Sequence, residues 1–190
     1  AINEGAPGCS FVLDANQGYT PKAAVKFTNA IVERGLNVRL LEQPVDAADL
    51  QGMRYVTEHV SVPVFADESA QTPADVLEVV RYKAAAGVNV KVMKAGMIGA
   101  LTISSICRAA KMELMLGCML ESSIGQAAAT HVACGTGTFS VFDLDQDLLV
   151  KEQPAKGGVT RTGAVIKLTG GPGLGCEISE SALEPFRKRD

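Results

Sequence analysis

The chain has 190 residues, 47% of them apolar, and a formal net charge of −3. That length suits one domain with a sizeable core. A near-neutral balance without a run of five like charges argues against nucleic acid or an anionic membrane as partner, and no eighteen consecutive apolar residues are present to span a bilayer.

The opening segment, residues 1–10, lacks the charged-then-apolar order of a signal peptide. It also lacks an initiator Met, so the chain is expected to be processed, trimmed or part of something longer. Candidate elements then alternate. "CSFVLD" reads as a strand ending at Asp14. "TPKAAVKFTNAIVERG" follows as a helix, with Thr20 as N-cap, Pro21 in its first turn and Gly35 as its stop. "LNVRLLE" is a strand that ends on Glu42, just before the turn-forming Pro44. "DAADLQGMRYVTEH" is a helix, and "VPVFAD" a strand ending at Asp67. "TPADVLEVVRYKAAAG" repeats the Thr-Pro opening and closes on Gly87, with Val76, Val79, Val80 and Ala84 on one face. "VNVKV" carries Lys91 near its end, while Lys94, past the strand, is expected at the surface. "IGALTISSICRAA" is a helix, "LMLGCMLE" a strand ending at Glu121, and "SSIGQAAATHVA" a helix. "FSVFDLD" ends at Asp143 or Asp145. From Gly157 to Ile178 the chain is Gly-rich, with one short strand, "AVIKL".

Most of these strands are continuous apolar runs, as in parallel strands covered on both faces. Repeated βα units leave two architectures, an open doubly wound sheet or a (β/α)8 barrel. Charges at almost every strand end make sense if they converge, and a barrel gathers its strand ends around one mouth. The expected class is therefore α/β, a partial (β/α)8 TIM-type barrel over residues 1–156, followed by a Gly-rich C-terminal segment over 157–190. Six strands are two short of closure, so the missing units are expected upstream.

Asp14, Glu42 and Asp67 end three consecutive strands. Brought close together, they repel and resist ionisation. A hard divalent cation removes that conflict, and all-oxygen ligation suits Mg2+ or Mn2+. Lys91 lies between Val90 and Val92; desolvation and a neighbouring cation are expected to lower its pKa and fit it as a general base. Cys9, Cys107, Cys118, Cys134 and Cys176 are odd in number and form no Cys-x-x-Cys pair. Free thiols in a reducing compartment follow, the cytoplasm or an organellar matrix or stroma. His59 and His131 fall on helices and read as structural. Asp143, Asp145 and Asp147 mimic the start of a calcium loop, but Leu148 and Pro154 stand where that loop needs Gly and Glu.

The ordered set "LDANQGY", "LLEQPV", "FADES", "VNVKVMKAG", "GCMLES", "FDLD" and "GGPGLGCEI" resembles the enolase superfamily. Within it the muconate-lactonizing subgroup is closest, and most specifically its dipeptide epimerases. The resemblance runs from Asp14 to Ile178. It implies that the chain holds about strands 3–8 of the barrel, and that the C-terminal segment packs on an N-terminal capping domain. It implies Asp14, Glu42 and Asp67 as Mg2+ ligands, with Asn16 and Glu68 supporting them. Lys91 would be the acid/base. Asp143 and Asp145 would bind the ammonium of a small dipeptide such as Ala-Glu, and Glu121 would face the substrate or support the site. The implied reaction is epimerisation through an enediolate, after abstraction of the α-proton. A cycloisomerase or o-succinylbenzoate synthase of the same subgroup shares the triad and Lys91. A non-catalytic barrel fragment awaiting a complementing chain is the reading from another class. The chain departs from the family in lacking the Lys-x-Lys strand and the capping domain, and in carrying Met97 where a second Gly is usual. Alone it is expected to bind metal poorly and turn over nothing. A homo-oligomer is compatible with this reading.

Overall fold

Six short strands line up in chain order as one parallel sheet: β1 (Phe11–Asp14), β2 (Val38–Glu42), β3 (Val64–Ala66), β4 (Gly87–Lys91), β5 (Glu113–Gly117) and β6 (Val141–Phe142). A short helix, α1 (Ile2–Gly5), precedes them. The crossovers are α2 (Pro21–Glu33), α3 (Leu50–His59), α4 (Pro73–Tyr82), α5 (Val92–Ala110) and α6 (Ser123–Thr136). The structure is a computed structural model and describes residues 2–145, 148–178 and 180–184.

Local chemistry sets the helix starts. Thr20 Oγ1 accepts from the Ala23 amide, with Pro21 opening α2. Thr72 and Asp75 form a reciprocal capping box ahead of Pro73. Two expected boundaries move. α4 stops at Tyr82, because Lys83 takes a left-handed conformation (φ 52°), and Gly87 opens β4 instead of closing the helix. β5 ends at Gly117, so Glu121 stands in the following loop and not on the strand.

The sheet is a curled half-barrel. Arg39 of β2, beside a register shift between the Phe11–Val38 and Val12–Leu40 pairs, donates to the carbonyl of Ser140 at 2.8 Å, immediately before β6. Four strand spacings in a flat sheet would separate these residues by about 19 Å, beyond the reach of an arginine side chain. Two cores follow from the curl. The larger lies between sheet and helices and includes Leu41, Met53, Val64, Val79, Val88, Ile103 and Leu116. The smaller lines the concave face and consists of Leu40, Phe65, Met115 and Val141. α5 has the length and mean hydropathy of a membrane span. It packs here through one stripe, with Ala100, Ile103 and Cys107 buried, and has a break at Gly96 (φ 67°, ψ 170°).

The C-terminal segment forms two small antiparallel pairs. β7 (Ala155–Gly157) pairs with β10 (Cys176–Ile178), and β8 (Val159–Thr162) with β9 (Val165–Leu168); α7 (Glu180–Leu183) follows. The expected lone strand is thus one arm of a hairpin, and β7 straddles the expected boundary at residues 156/157. All four strands lie against α6.

The inner core depends on an absent side chain. A Cβ built at Gly87 would stand 2.5 Å from the Phe65 ring, and Phe65 is fully buried. Gly87→Ala should therefore cost about 1–3 kcal/mol through overpacking, read as a lower urea midpoint at unchanged m-value. An unchanged midpoint would show that the Phe65 ring can move aside.

Candidate active site

The register decides what meets at the strand ends. Asp14 pairs with Glu42, and Glu42 with Phe65. Side chains alternate along a strand, so Asp67, two residues beyond Phe65, points to the same concave side. Phe65 pairs with Gly87, and Asn89 and Lys91 pair with Met115 and Gly117. One concave rim thus collects Asp14, Glu42, Asp67, Asn89 and Lys91.

A buried carboxamide holds this rim. Gln43 is fully buried, at a positive φ of 34°. Its Oε1 accepts from the amides of Asp67 (2.9 Å) and Ser69 (3.1 Å). Its Nε2 donates to Val45 O (2.9 Å) and Ser69 Oγ (2.8 Å). Every hydrogen-bonding capacity of the amide is used, and the ends of β2 and β3 are tied together. The loop after β1 joins them, as the Gln17 amide donates to Gln43 O at 2.8 Å.

Glu42 is 3% exposed. Asn89 Nδ2 donates to its Oε1 at 2.6 Å. Burial, with the charges of Asp67 and Asp14, outweighs that bond and the pull of Lys91, and lifts the Glu42 carboxyl to about 7. Gly117 makes room for Asn89: a Cβ there would lie 2.5 Å from its carboxamide oxygen. Asp67 is 2% exposed, and each of its oxygens meets an ammonium. Lys91 Nζ stands 2.7 Å from Oδ2 and Lys94 Nζ 2.8 Å from Oδ1. Lys94 therefore belongs to the site and not to the surface. The chain coils one turn after β4 before Gly96 breaks it, which brings residues three apart onto one face. The lowering expected of Lys91 beside a cation has its counterpart here only in burial. Burial does lower it, but the hydrogen bond to Asp67 and the charges of Asp67, Glu42 and Glu68 raise it further.

The remaining candidates divide. Asp14 Oδ1 accepts the Asn16 amide at 2.8 Å, so Asn16 supports it through backbone. Glu68 carries a buried Oε2 without a hydrogen-bond partner among the described residues. Glu121 is 5% exposed. Its Oε1 accepts the Met119 amide at 3.0 Å, and its Oε2 is buried and unpartnered among the described residues. Burial raises its pKa, with the Met119 amide and the charge of Lys91 opposing. A Cβ at Gly125, on the first turn of α6, would collide with Glu121 Oε2. Asp143 is raised by burial, then by Asp145, with Lys91 opposing and Asp14 adding. Asp145 Oδ1 lies 4.0 Å from Cys118 Sγ. Asp147 lies outside the described residues. His59 bonds Tyr55 O at 2.7 Å and stacks on its ring, a structural role. None of the five cysteines is in a disulfide.

The expected gathering of carboxylates at ligand distance is not formed. Among the described residues, no three His, Cys, Asp or Glu side chains are grouped to hold a metal ion. Each carboxylate has turned to a local donor instead: Asp14 to the Asn16 amide, Glu42 to Asn89, Asp67 to the lysines. The donor chemistry nevertheless fits a hard divalent cation. Glu42 is held near neutrality against two like charges, a conflict that a cation relieves. Lys94, Gln43 and Asn89 escaped the sequence reading. Their signals were slight: a lysine one helical turn past another, and polar residues inside apolar runs.

Residues 1–182 match the family model described as enolase C-terminal domain-like. The chain is 42% identical over 156 residues to the L-Ala-D/L-Glu epimerase of Thermotoga maritima, covering 82% of this chain and 45% of that protein. It is similar in structure to the substrate-liganded L-Ala-D/L-Glu epimerase from Bacillus subtilis, with a TM-score of 0.84 and 40% identity over 87% of this chain and 46% of the other. The dipeptide epimerase from Enterococcus faecalis, complexed with Mg and L-Leu-L-Tyr, gives 0.87 and 38% over 92% and 50%. The chain spans about half the length of these relatives.

Two measurements probe the rim. Gln43→Leu strands the buried amides of Asp67 and Ser69 and should cost about 2–5 kcal/mol in urea unfolding; a loss below about 1 kcal/mol would mean that these amides find other acceptors. The second concerns pH. The fold binds the Glu42 proton more tightly than an unfolded glutamate of pKa 4.5 does. Protonated Glu42 thus contributes stability below about pH 4.5, which is lost as pH rises towards 7. In chelator-treated protein, Glu42→Gln should gain about 1–3 kcal/mol on wild type between pH 5 and 8. Parallel stability curves would contradict the raised value.

Proposed function

The chain belongs to the enolase C-terminal domain-like family, and on that footing we propose that its protein epimerises a small dipeptide such as Ala-Glu at an α-carbon beside a carboxylate. One observation carries the reading: Lys91 Nζ sits 2.7 Å from Asp67 on the concave rim, where its charge reaches Glu42, Glu121 and Asp143. An acid/base lysine among carboxylates on a parallel half-barrel is the arrangement that α-proton transfer needs. The dipeptide epimerases among the relatives support the substrate class.

In this reading residues 1–156 supply strands 3–8 of a (β/α)8 barrel, and 157–190 return towards a capping domain. Asp14, Glu42 and Asp67 would hold Mg2+, with Mn2+ as an alternative. Asn16 and Gln43 fix the first and last of these carboxylates through backbone hydrogen bonds. A bound Mg2+ supplies positive charge beside the substrate carboxylate, where proton loss builds negative charge. Lys91 takes the α-proton or returns it. Asp143 and Asp145 hold the substrate ammonium, and Glu121 bounds the pocket between them and Lys91. Inversion needs a second base on the opposite face of the planar intermediate, which one lysine cannot readily supply. A chain of about half the relatives' length therefore acts together with the remainder of a barrel. The free thiols support a reducing compartment.

Charge-assisted hydrogen bonds to an ammonium contribute about 1.5–3 kcal/mol each. With the barrel complete, Asp145→Asn should lower kcat/KM for Ala-Glu by roughly 10- to 100-fold, and spare any turnover of N-acetylated Ala-Glu. Lys91→Ala in the same protein should abolish epimerisation while leaving the melting transition cooperative. Equal losses on free and acetylated dipeptide would remove the case for ammonium recognition.

A further inference from the structure

Asp67 is gripped at every polar atom it offers. Its amide donates to Gln43 Oε1 at 2.9 Å, and its two oxygens meet Lys91 and Lys94 at 2.7 and 2.8 Å. The proposed reaction uses only one of these lysines. A lysine that swings towards a substrate carbon must leave the carboxylate it was touching. If Lys91 alone oriented Asp67, each such excursion would release it.

Lys94 has no such conflict. It lies one helical turn beyond Lys91, on a short coil anchored by the buried Val92 and ended by Gly96 at φ 67°, ψ 170°. A Cβ at Gly96 would meet nothing within 4 Å. What glycine provides there is the backbone conformation, not space. That conformation turns the chain into the main helix after one turn, so that Lys94 reaches back over the rim with its side chain only 16% exposed. A long cationic side chain confined this far, with both termini of its reach defined, is held for a purpose other than solubility.

We propose that Lys94 is a positioning residue: its ammonium fixes Oδ1 of Asp67 independently of Lys91, and so sets which oxygen Asp67 presents to a divalent cation. The inference rests on the metal reading given above and adds to it a residue that touches neither substrate nor ion. When Lys91 moves, Oδ2 is freed while Oδ1 stays bonded, so Asp67 keeps its orientation and offers one oxygen, not two.

The test has two arms in the protein with its barrel complete. In the first, Lys94→Met and Asp67→Asn are combined in a double-mutant cycle on chelator-treated protein. The two changes should be coupled by about tenfold in the unfolding equilibrium constant. In the second, Mn2+ is added and its paramagnetic resonance spectrum recorded. Lys94→Met should still bind one ion, but with a spectrum altered from wild type, because the released Oδ1 joins the coordination. Lys94→Arg should restore the wild-type spectrum. Additive effects in the cycle, or an unaltered Mn2+ spectrum in Lys94→Met, would overturn the assignment. Absence of bound Mn2+ from wild type would instead refute the metal reading, and the cycle alone would then decide whether Lys94 holds Asp67.

Discussion

The amides of Asp67 and Ser69 share one acceptor, the carboxamide oxygen of Gln43. That shared bond fixes the geometry of the concave rim. Strand pairing sets the heights of β2 and β3 relative to each other, but it stops at Glu42 and Phe65. Beyond it the backbone would be free to diverge. Gln43 continues the connection with side-chain atoms, and its positive φ lets the chain turn away while the amide stays behind. Glu42 before it and Asp67 across from it are held as a pair, and the loop carrying Asn16 and Gln17 is hung from its carbonyl. An apolar residue of the same size would fill the space and leave the two buried amides unmatched.

Charge governs the rest of the rim. Three carboxylates on one concave face would repel, and the fold answers with two ammonium groups on Asp67 and a neutral amide on Glu42. The answer is incomplete, since Glu42 remains near neutrality. A site that leaves one acid poised between states responds strongly to any cation that enters. Lys91 also opposes the burial-driven rise of Glu121 and Asp143. The strand-end residues therefore act as one electrostatic unit, although few of them touch.

Much of this was legible in the chain, for physical reasons. Parallel strands buried on both faces must be apolar throughout, so "VRLLE" and "VPVFAD" announce themselves, and a charge that ends such a run stands out. Thr-Pro pairs mark helix starts because capping and the fixed φ of proline both act locally. Other features depended on atoms distant in sequence. Lys94 reads as surface because it stands past the end of a strand, and nothing local says that its ammonium turns back to Asp67. Gln43 looked like the start of a turn, since nothing local says that its amide is buried. β5 was drawn too long because "LMLGCML" is apolar throughout, whereas pairing with β4 ends at Gly117. The lowering expected of Lys91 rests on burial and a bound cation, whereas among the side chains alone the carboxylates of Asp67, Glu42 and Glu68 outweigh burial.

Three glycines described above share a property. Gly87, Gly117 and Gly125 each yield their side-chain volume to a residue elsewhere: the Phe65 ring, the Asn89 amide and the Glu121 carboxylate. Each pair is a single allotment of space divided between two positions. The consequence is genetic as much as structural. A methyl group gained at Gly117 is compatible with the fold once Asn89 has shortened, and then Glu42 has lost its donor. At Gly125 the same exchange removes Glu121 from the mouth. Drift at these glycines is therefore coupled to their partners, since each pair shares one allotment of space.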